Sequence, residues 1–571
     1  MGVPGLWPFI RDRFPNAVRR IVKVPSGTAE TKFDYIYLDA NGLLHTAAQH
    51  VFNYGEKKRH LDPYHRMNYD EKIKRVFELF FEQIVDVISM IAPVEILYIA
   101  IDGPAPRAKQ NQQRERRFLA ARDRTSKTTF TAFDSNSITP GTEFMHRLSQ
   151  FMYFKIRYAL NTSGRWTPFK VIFSPPSVPG EGEHKIMDYI RALPESIRNE
   201  RSHCMFGPDG DLLMLTLASH VKKMSLFRED QFAGPNRYDL IDMAIVRDGL
   251  TTIILEENRD QNINDFIFMG FFVGNDFLPR IKMFYRLDDS LQRMIELYET
   301  LSINLTGHQQ ILIRNFSVFV HHLKKIEYDC LLDQATLTPR DPRFVDYTLN
   351  ECIIFDDLAV PIKLDMKMYQ NRYYKKVGID ASQKSIDKMC EAYLRNLLWV
   401  YLYYINGLPS WEEAYTYRYA PLMSDLSNYL ERLNPSTKIV FDRSRPAKPF
   451  EQLLSVLPSS SASLLPEIYR PLMLSTDSPL VKAGYYPKFF DVDYEGKRKE
   501  HEGKPILPFV DFKTVSDAYN GVNTHFRWKR NRLGSDSLFR WIPTFSTRFK
   551  SRYGEIKNCR VRVDALKTKQ F

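Results

Sequence analysis

The sequence predicts an α/β fold, a mainly parallel mixed sheet flanked by helices. Three observations point to it. Short apolar runs rich in β-formers (residues 35–38, 96–101, 169–173 and 203–206) alternate with longer stretches of helical periodicity (residues 71–92 and 144–161). Most of these runs close on a turn or lead into a helix, the order expected of strand–helix–strand units. Finally, Asp39, Asp102, the pair Glu181/Glu183 and the pair Asp209/Asp211 each follow the carboxyl end of a predicted strand. That is the edge at which open α/β sheets bind their ligands.

The first strand delivers Asp39, and a helix opens after it with Asn41 and His45. Residues 71–92 carry Ile73, Val76, Phe77, Phe80, Phe81, Ile84, Val87 and Ile88 at helical spacing, the mark of a packing helix. The second strand ends at Asp102, where Gly103-Pro104 breaks the pattern. In the polar helix that follows, Lys109, Gln113, Arg116 and Arg117 fall at i, i+4, i+7 and i+8 and share one face. A carboxylate at a strand tip followed by a ridge of donors suits cutting a phosphodiester while gripping a phosphate. Residues 125–143 read as a polar connection ending in Thr139-Pro140-Gly141. After the third strand, prolines force an extended loop to Glu181 and Glu183 at a helix entrance. Residues 203–206 lead to Asp209 and Asp211, residues 221–227 read as another strand, and the helical segment 263–273 ends near Asp276. Residues 280–390 are charged and partly helical, and their local pattern spells no chemistry. Residues 458–463 (PSSSAS) read as a short flexible loop, and the charged segment 496–505 reads as solvent-facing. The tail from Phe526 interleaves Arg and Lys with aromatics, which suits either nucleic-acid stacking or a helix docked on the body.

The bulk numbers narrow the class. A 571-residue chain with 44% apolar and 26% charged residues describes an ordinary globular protein with a sizeable core. Its formal charge of +12 favours a polyanionic partner, nucleic acid before membrane. Five scattered cysteines without CxxC spacing argue against a disulfide framework and a zinc site, and favour a reducing compartment. No apolar run is long enough to span a bilayer, and the N-terminus has no apolar leader, so the expectation is a soluble intracellular protein.

Gathered in one cleft, Asp39, Asp102, Glu181, Glu183, Asp209, Asp211 and Asp276 cannot all stay ionised without cations between them. Oxygen-only ligands select hard ions, Mg²⁺ or Mn²⁺. Two such ions about 3.5–4 Å apart stabilise the attacking and leaving oxygens of a phosphodiester.

Several blocks resemble the XRN-type 5′→3′ exoribonucleases: MGVPGLWPFI at the start, YLDANGLLH, AIDGPAPRAKQNQQRERRF, PGEGEHKIMDYIR, DGDLLML at 209–215 and VGNDFLP at 273–279. YYKKVGID, LLWVYLYYINGLPSW, YRYAPLMSDL, PFEQLLSVLP and LPFVD look like that family's second region. The resemblance implies a 5′-nuclease (PIN-like) core over residues 1–290 and a helical connection over 291–390. A largely helical second region bracing the active site would cover 391–515, followed by a basic aromatic tail over 516–571. It implies that the seven acids are catalytic and hold two Mg²⁺, for which Mn²⁺ substitutes. Lys109, Gln113, Arg116 and Arg117 would form the pocket for a 5′-monophosphate, and His45 and Trp411 would stack on the first bases. Where relatives carry a second tryptophan, this chain has Glu413. The expected activity is processive 5′→3′ degradation of single-stranded RNA to nucleoside 5′-monophosphates, by a cytoplasmic or nuclear monomer. The competing readings are a structure-specific 5′ nuclease on DNA flaps and a catalytically inactive RNA-binding scaffold.

Overall fold

The strands that carry the acids are neighbours in one sheet. In the computed structural model, which describes residues 5–22, 31–126, 133–230, 237–254, 258–285, 287–337, 339–358, 360–497 and 500–566, seven strands come from the first half of the chain. They are β1 (Val18–Val22), β2 (Thr31–Asp39), β3 (Ile91–Ala100), β4 (Lys170–Ser174), β5 (His203–Phe206), β6 (Met224–Glu229) and β7 (Arg237–Asp242). Two more, β8 (Ser537–Trp541) and β9 (Val561–Ala565), come from the C-terminal tail. The order is β1-β7-β6-β5-β2-β3-β4-β8-β9. The five strands β6, β5, β2, β3 and β4 run parallel, and antiparallel pairs extend the sheet at both edges.

Register explains why the acids meet. Asp39 pairs with Ala100, Ala100 with Ser174, and Leu38 with Phe206, so four adjacent strands finish level at one rim. The central strands are buried on both faces, as parallel strands are when helices cover each side. Their side chains alternate between two cores. Tyr35 and Tyr37 face a core formed with α5 (Gly182–Ala192), α6 (Asp211–Ala218), α7 (Arg259–Gly270) and α8 (Gln383–Ile405). Ile36 and Leu38 face a second core, with α1 (Asn41–Phe52), α2 (Tyr69–Met90) and α4 (Glu143–Thr162). α2 buries Ile73, Val76, Phe77, Phe80, Ile84 and Val87 and leaves Phe81 and Ile88 half-buried at the side of that stripe, and its start is fixed by a capping box between Asn68 and Glu71. The cationic helix α3 (Arg107–Ser126) and α9 (Pro449–Val456) lie against each other, with α9 belonging to a third cluster that includes Phe450, Tyr469 and Val515.

Three local expectations change. The tail is neither a loose arm nor a docked helix: its strands β8 and β9 extend the nuclease sheet beyond β4, so the sheet is not completed within residues 1–290. Residues 458–463 are ordered rather than flexible, because Ser461 is buried and its hydroxyl links Asn136 and Asp134. In segment 496–505, Lys504 pairs with Asp493 and its Nζ donates to the Arg418 carbonyl (3.0 Å), while Gly503 and Pro505 are buried. Arg498 and Lys499 of that segment lie outside the described residues, as do Met1–Pro4 and residues 127–132. No described helix is long and apolar enough to cross a membrane.

Candidate active site

All seven predicted acids belong to one rim. Asp39 ends β2, Asp102 lies just beyond β3, and Glu181 and Glu183 stand at the entrance of α5. Asp209 and Asp211 open α6, and Asp276 follows α7. Their mutual influence records the convergence. Burial first, then the charges of Asp102, Asp209 and Asp211, push the Asp39 carboxyl well above the usual range. Burial with Glu181 and Asp39 does the same to Glu183. Glu181 is pushed up to about 7 and Asp211 to about 6, each mainly by burial, with Asp276 among the charges acting on both. Oxygens Asp39 Oδ1 and Asp211 Oδ1 are buried with no hydrogen-bond partner among the described residues. Buried acids that repel one another and leave lone pairs unused fit a bound cation. Two sets have ligand atoms within 4.8 Å of one another: Asp39, Asp102 and Glu183, and Glu181, Glu183 and His184. The rim can therefore hold a metal ion.

Close backbone approach makes this packing possible. The Gly182 N–H donates to Asp102 Oδ1 (2.7 Å), and a Cβ on Gly182 would lie 2.6 Å from Asp39 Oδ1. Only glycine lets the helix entrance sit between these two carboxylates. The side-chain amide of Asn41 donates to Asp102 Oδ2 and so fixes its orientation.

The four residues predicted to share a face of α3 have separate surroundings. Lys109 turns inward: its Nζ lies 2.5 Å from Glu181 Oε2 and 2.8 Å from Asp276 Oδ2. Asp276 is buried, yet the Lys109 ammonium and then Arg116 hold its carboxyl well below the usual range. Gln113 is buried, and its Oε1 accepts from Gln452 Nε2 (3.2 Å), which leaves its amide N–H groups as the part available to an anion. Arg117 is braced by Thr139 Oγ1 (3.0 Å) and the Gln113 carbonyl (3.1 Å). Burial, with Arg116 beside it, brings its guanidinium down to about 10. Arg116 is exposed and sits 3.8 Å from Asp276. The face thus offers one exposed cation, one braced cation and an oriented amide beside the acids.

His45 is exposed on α1. The walls around its ring still remove much of its hydration, and with Arg117 and Arg116 near, its imidazole is held down to about 4, hence neutral at pH 7. Trp411 is buried, 8% exposed, and its carbonyl accepts from the Arg107 N–H (2.8 Å), docking the PSW segment on the start of α3. Glu413 forms an ion pair with Arg395 (2.7 Å).

The N-terminal domain of XRN 5′-3′ exonucleases matches residues 1–230. The Xrn1 helical domain matches residues 256–350 and 348–563. The chain belongs to the XRN family. It is 32% identical to human 5′-3′ exoribonuclease 1, over 95% of this chain and 35% of that protein. It is 28% identical to the Schizosaccharomyces pombe 5′-3′ exoribonuclease 1, over 96% of this chain and 51% of the relative. It is also 28% identical to 5′-3′ exoribonuclease 2 of Arabidopsis thaliana, over 94% and 69%. The chain thus spans about a third to a half of the length of the first two.

In this XRN chain the acid rim has supports that spacing alone did not single out. Tyr403 of α8 donates to Glu181 Oε1 (3.1 Å), and its ring stacks on His184 at 3.5 Å. Burial keeps the His184 imidazole neutral. Lys185 Nζ donates to the carbonyls of Ile101 (2.6 Å), Pro175 (3.3 Å) and Val178 (3.4 Å), stapling the chain before Asp102 to the loop before Glu181. Gln452 spans Ala105 N–H and Gln113. His184 and Lys185 stand in the string GEGEHK and were open to suspicion there. Tyr403 and Gln452 lie more than 200 residues from their partners, and no local signal marks them.

Proposed function

We propose that this chain is a 5′→3′ exoribonuclease acting on single-stranded RNA that carries a 5′-monophosphate, releasing nucleoside 5′-monophosphates. The observation that carries the reading is the convergence of seven acids on one sheet rim, with the donor face of α3 beside them. Asp39, Asp102, Glu181, Glu183, Asp209, Asp211 and Asp276 would hold two Mg²⁺, because carboxylate oxygens favour hard ions and Mn²⁺ shares that preference. Held by these carboxylates, such ions would make hydroxide available near neutral pH and would offset charge on the departing oxygen. The chain's own residues do the positioning. Arg116, Arg117 and the Gln113 amide grip the terminal phosphate, which sets the scissile bond against the acids. Lys109 carries the counter-charge of Glu181 and Asp276 in the ion-free state; when ions take over that task, its ammonium is available to the phosphate. Neutral His45 offers an exposed ring on which the first base can stack, whereas Trp411, buried in this structure, does not present a second platform. A braced pocket with few donors favours a monophosphate over a cap or triphosphate, so decapped or cleaved RNA is the natural substrate. Repeated release of one nucleotide draws the next phosphate into the same grip, which makes the reaction processive.

The test compares 5′-monophosphate and 5′-hydroxyl RNA in Mg²⁺, with wild type beside Asp209→Ala. Mononucleotide release should depend on both the phosphate and the acid. Equal rates on the two RNA ends, or full activity of the variant, would refute the proposal.

A further inference from the structure

The C-terminal strap shapes a cavity at the edge of the sheet opposite the acids. β8 runs antiparallel to β4, with Ser537 beside Phe173 and Phe539 beside Val171, so Trp541 at its end lies by the amino end of β4. That end is about 17 Å from the rim, the length of the five residues of β4. There a cavity of about 300 Å³ opens between the last turn of α4 and the strap, with Asn161, Thr162, Ser163, Trp541, Asn558 and Arg560 in its lining. Its walls are tied together: the Arg560 N–H donates to Asn161 Oδ1 (2.9 Å), and the Ile542 N–H donates to the Arg560 carbonyl (2.8 Å).

The lining has the chemistry of a nucleotide site. Cys559 and Val561 are buried, and alternation along an extended chain turns Asn558 and Arg560 the other way, out of the core and into the cavity. Neither the Asn558 amide nor the Arg560 guanidinium has a partner among the described residues. Trp541 packs one side of its ring on the core of Ile36 and Leu38 and is only half-buried, which leaves indole surface open to the cavity. The inner wall is the C-terminal turn of α4, whose carbonyls carry partial negative charge and disfavour a phosphate. A neutral base with N–H donors suits that wall, with the indole as its stacking surface. Phosphates belong outside, on cations: residues 161–170 and 540–560 hold eight Lys and Arg against one acid, Glu555, which Arg548 already pairs. A duplex keeps its bases in the stack, so a single strand fits.

We propose that this cavity is a second contact for single-stranded RNA. Trp541 stacks one base from the body of the strand, the amides of Asn161 and Asn558 meet the edge of that base, and Arg560 takes the adjoining phosphate. Stacking and charge are indifferent to sequence, so a strand can slip through while remaining held. The ligand class follows the proposed function, but the cavity lies a strand's length from the acids and its test needs no hydrolysis.

The experiment reads binding of a labelled 5′-hydroxyl oligo(U) to the full chain in chelator, by fluorescence anisotropy. A length of about thirty nucleotides reaches both sites, since single-strand sites cover about 4–16 nucleotides each. Trp541→Leu should weaken binding about tenfold through the lost stack. Arg560→Gln, at an exposed position, keeps the backbone bonds to Asn161 and Ile542 and removes one cation. It should make the fall of log affinity with log salt shallower by about 0.7, the share of one phosphate on a single strand, with the melting temperature unchanged. Wild-type affinity and salt slope in whichever of these variants folds would overturn the inference and leave the proposed function standing. Variants that hold oligo(U) but lose an oligo-glutamate peptide would overturn it too, because the cavity would then belong to an acidic protein. A wild type that hydrolyses no RNA, with variants that still lose oligo(U), would refute the proposed function and support this second site.

Discussion

Replacing Lys109 with methionine probes the electrostatics of the rim directly. The lysine is 9% exposed, with its ammonium 2.5 Å from Glu181 and 2.8 Å from Asp276. Methionine keeps the apolar stem and removes the ammonium, which lies 5.5 Å from the centroid of the Phe277 ring. At an effective dielectric of about 20, a unit pair near 2.8 Å attracts by about 6 kcal/mol before desolvation is counted. Deleting one partner of a buried pair typically costs about 3–5 kcal/mol net, because the other charge stays behind unpaired. The ion-free variant should therefore lose about 3–5 kcal/mol of stability at pH 7. The pH dependence has a definite sign. Asp276 is held low by Lys109, so its stabilisation is present above the unfolded carboxyl range and is lost as pH falls through its folded value. The deficit of the variant should be full at pH 7 and shrink toward pH 4, where Glu181 is protonated in both proteins and buried Asp276, relieved of Lys109, takes up a proton in the variant alone. Mn²⁺ should restore most of the loss, since it replaces the missing positive charge. Urea unfolding in chelator and in Mn²⁺, at pH 4 and pH 7, measures all of this. An equal loss at both pH values, or no loss in chelator at pH 7, would refute the electrostatic account.

Three further outcomes follow from the same geometry. Gly182→Ala places a methyl 2.6 Å from Asp39 Oδ1; displacing a proposed ligand by such a margin should lower the proposed Mg²⁺-dependent RNA hydrolysis about 10²-fold. Tyr403→Phe keeps the stack on His184 but loses the bond to Glu181; at about 1 kcal/mol for one hydrogen bond, kcat should fall roughly fivefold with KM for RNA unchanged. Finally, Glu181 near 7 and Asp211 near 6 are raised above their unfolded values, so the ion-free protein should lose stability as pH rises from about 4 to 7. Taken singly, each contributes about 3 kcal/mol. Mn²⁺ affinity should climb over that same interval, and binding isotherms at pH 5.5 and 7.5 check it.

The acids and the sheet that gathers them were legible because their signals are local. A β-rich run, a turn and a helix entrance are each written in a few consecutive residues, and parallel strands joined by helices must end at a common rim. The shared face of Lys109, Gln113, Arg116 and Arg117 was legible for the same reason, since helical periodicity sets which way neighbouring side chains leave the axis. What that face meets was not. Lys109 turns to Glu181 and Asp276, Gln113 is oriented by Gln452, and Arg117 is braced by Thr139. The short strands β1 and β7, at the outer edge of the sheet, escaped notice because their burial is partial and their partners lie far along the chain. The tail shows the limit most clearly: its alternating basic and aromatic residues suit a nucleic-acid arm, a docked helix or an edge strand, and only the exposed edge of β4 selects the third. Direction along one element is a property of the local backbone. The hydroxyl that holds Glu181 and the amide that orients Gln113 come from segments hundreds of residues away, and only packing of the whole chain brings them there.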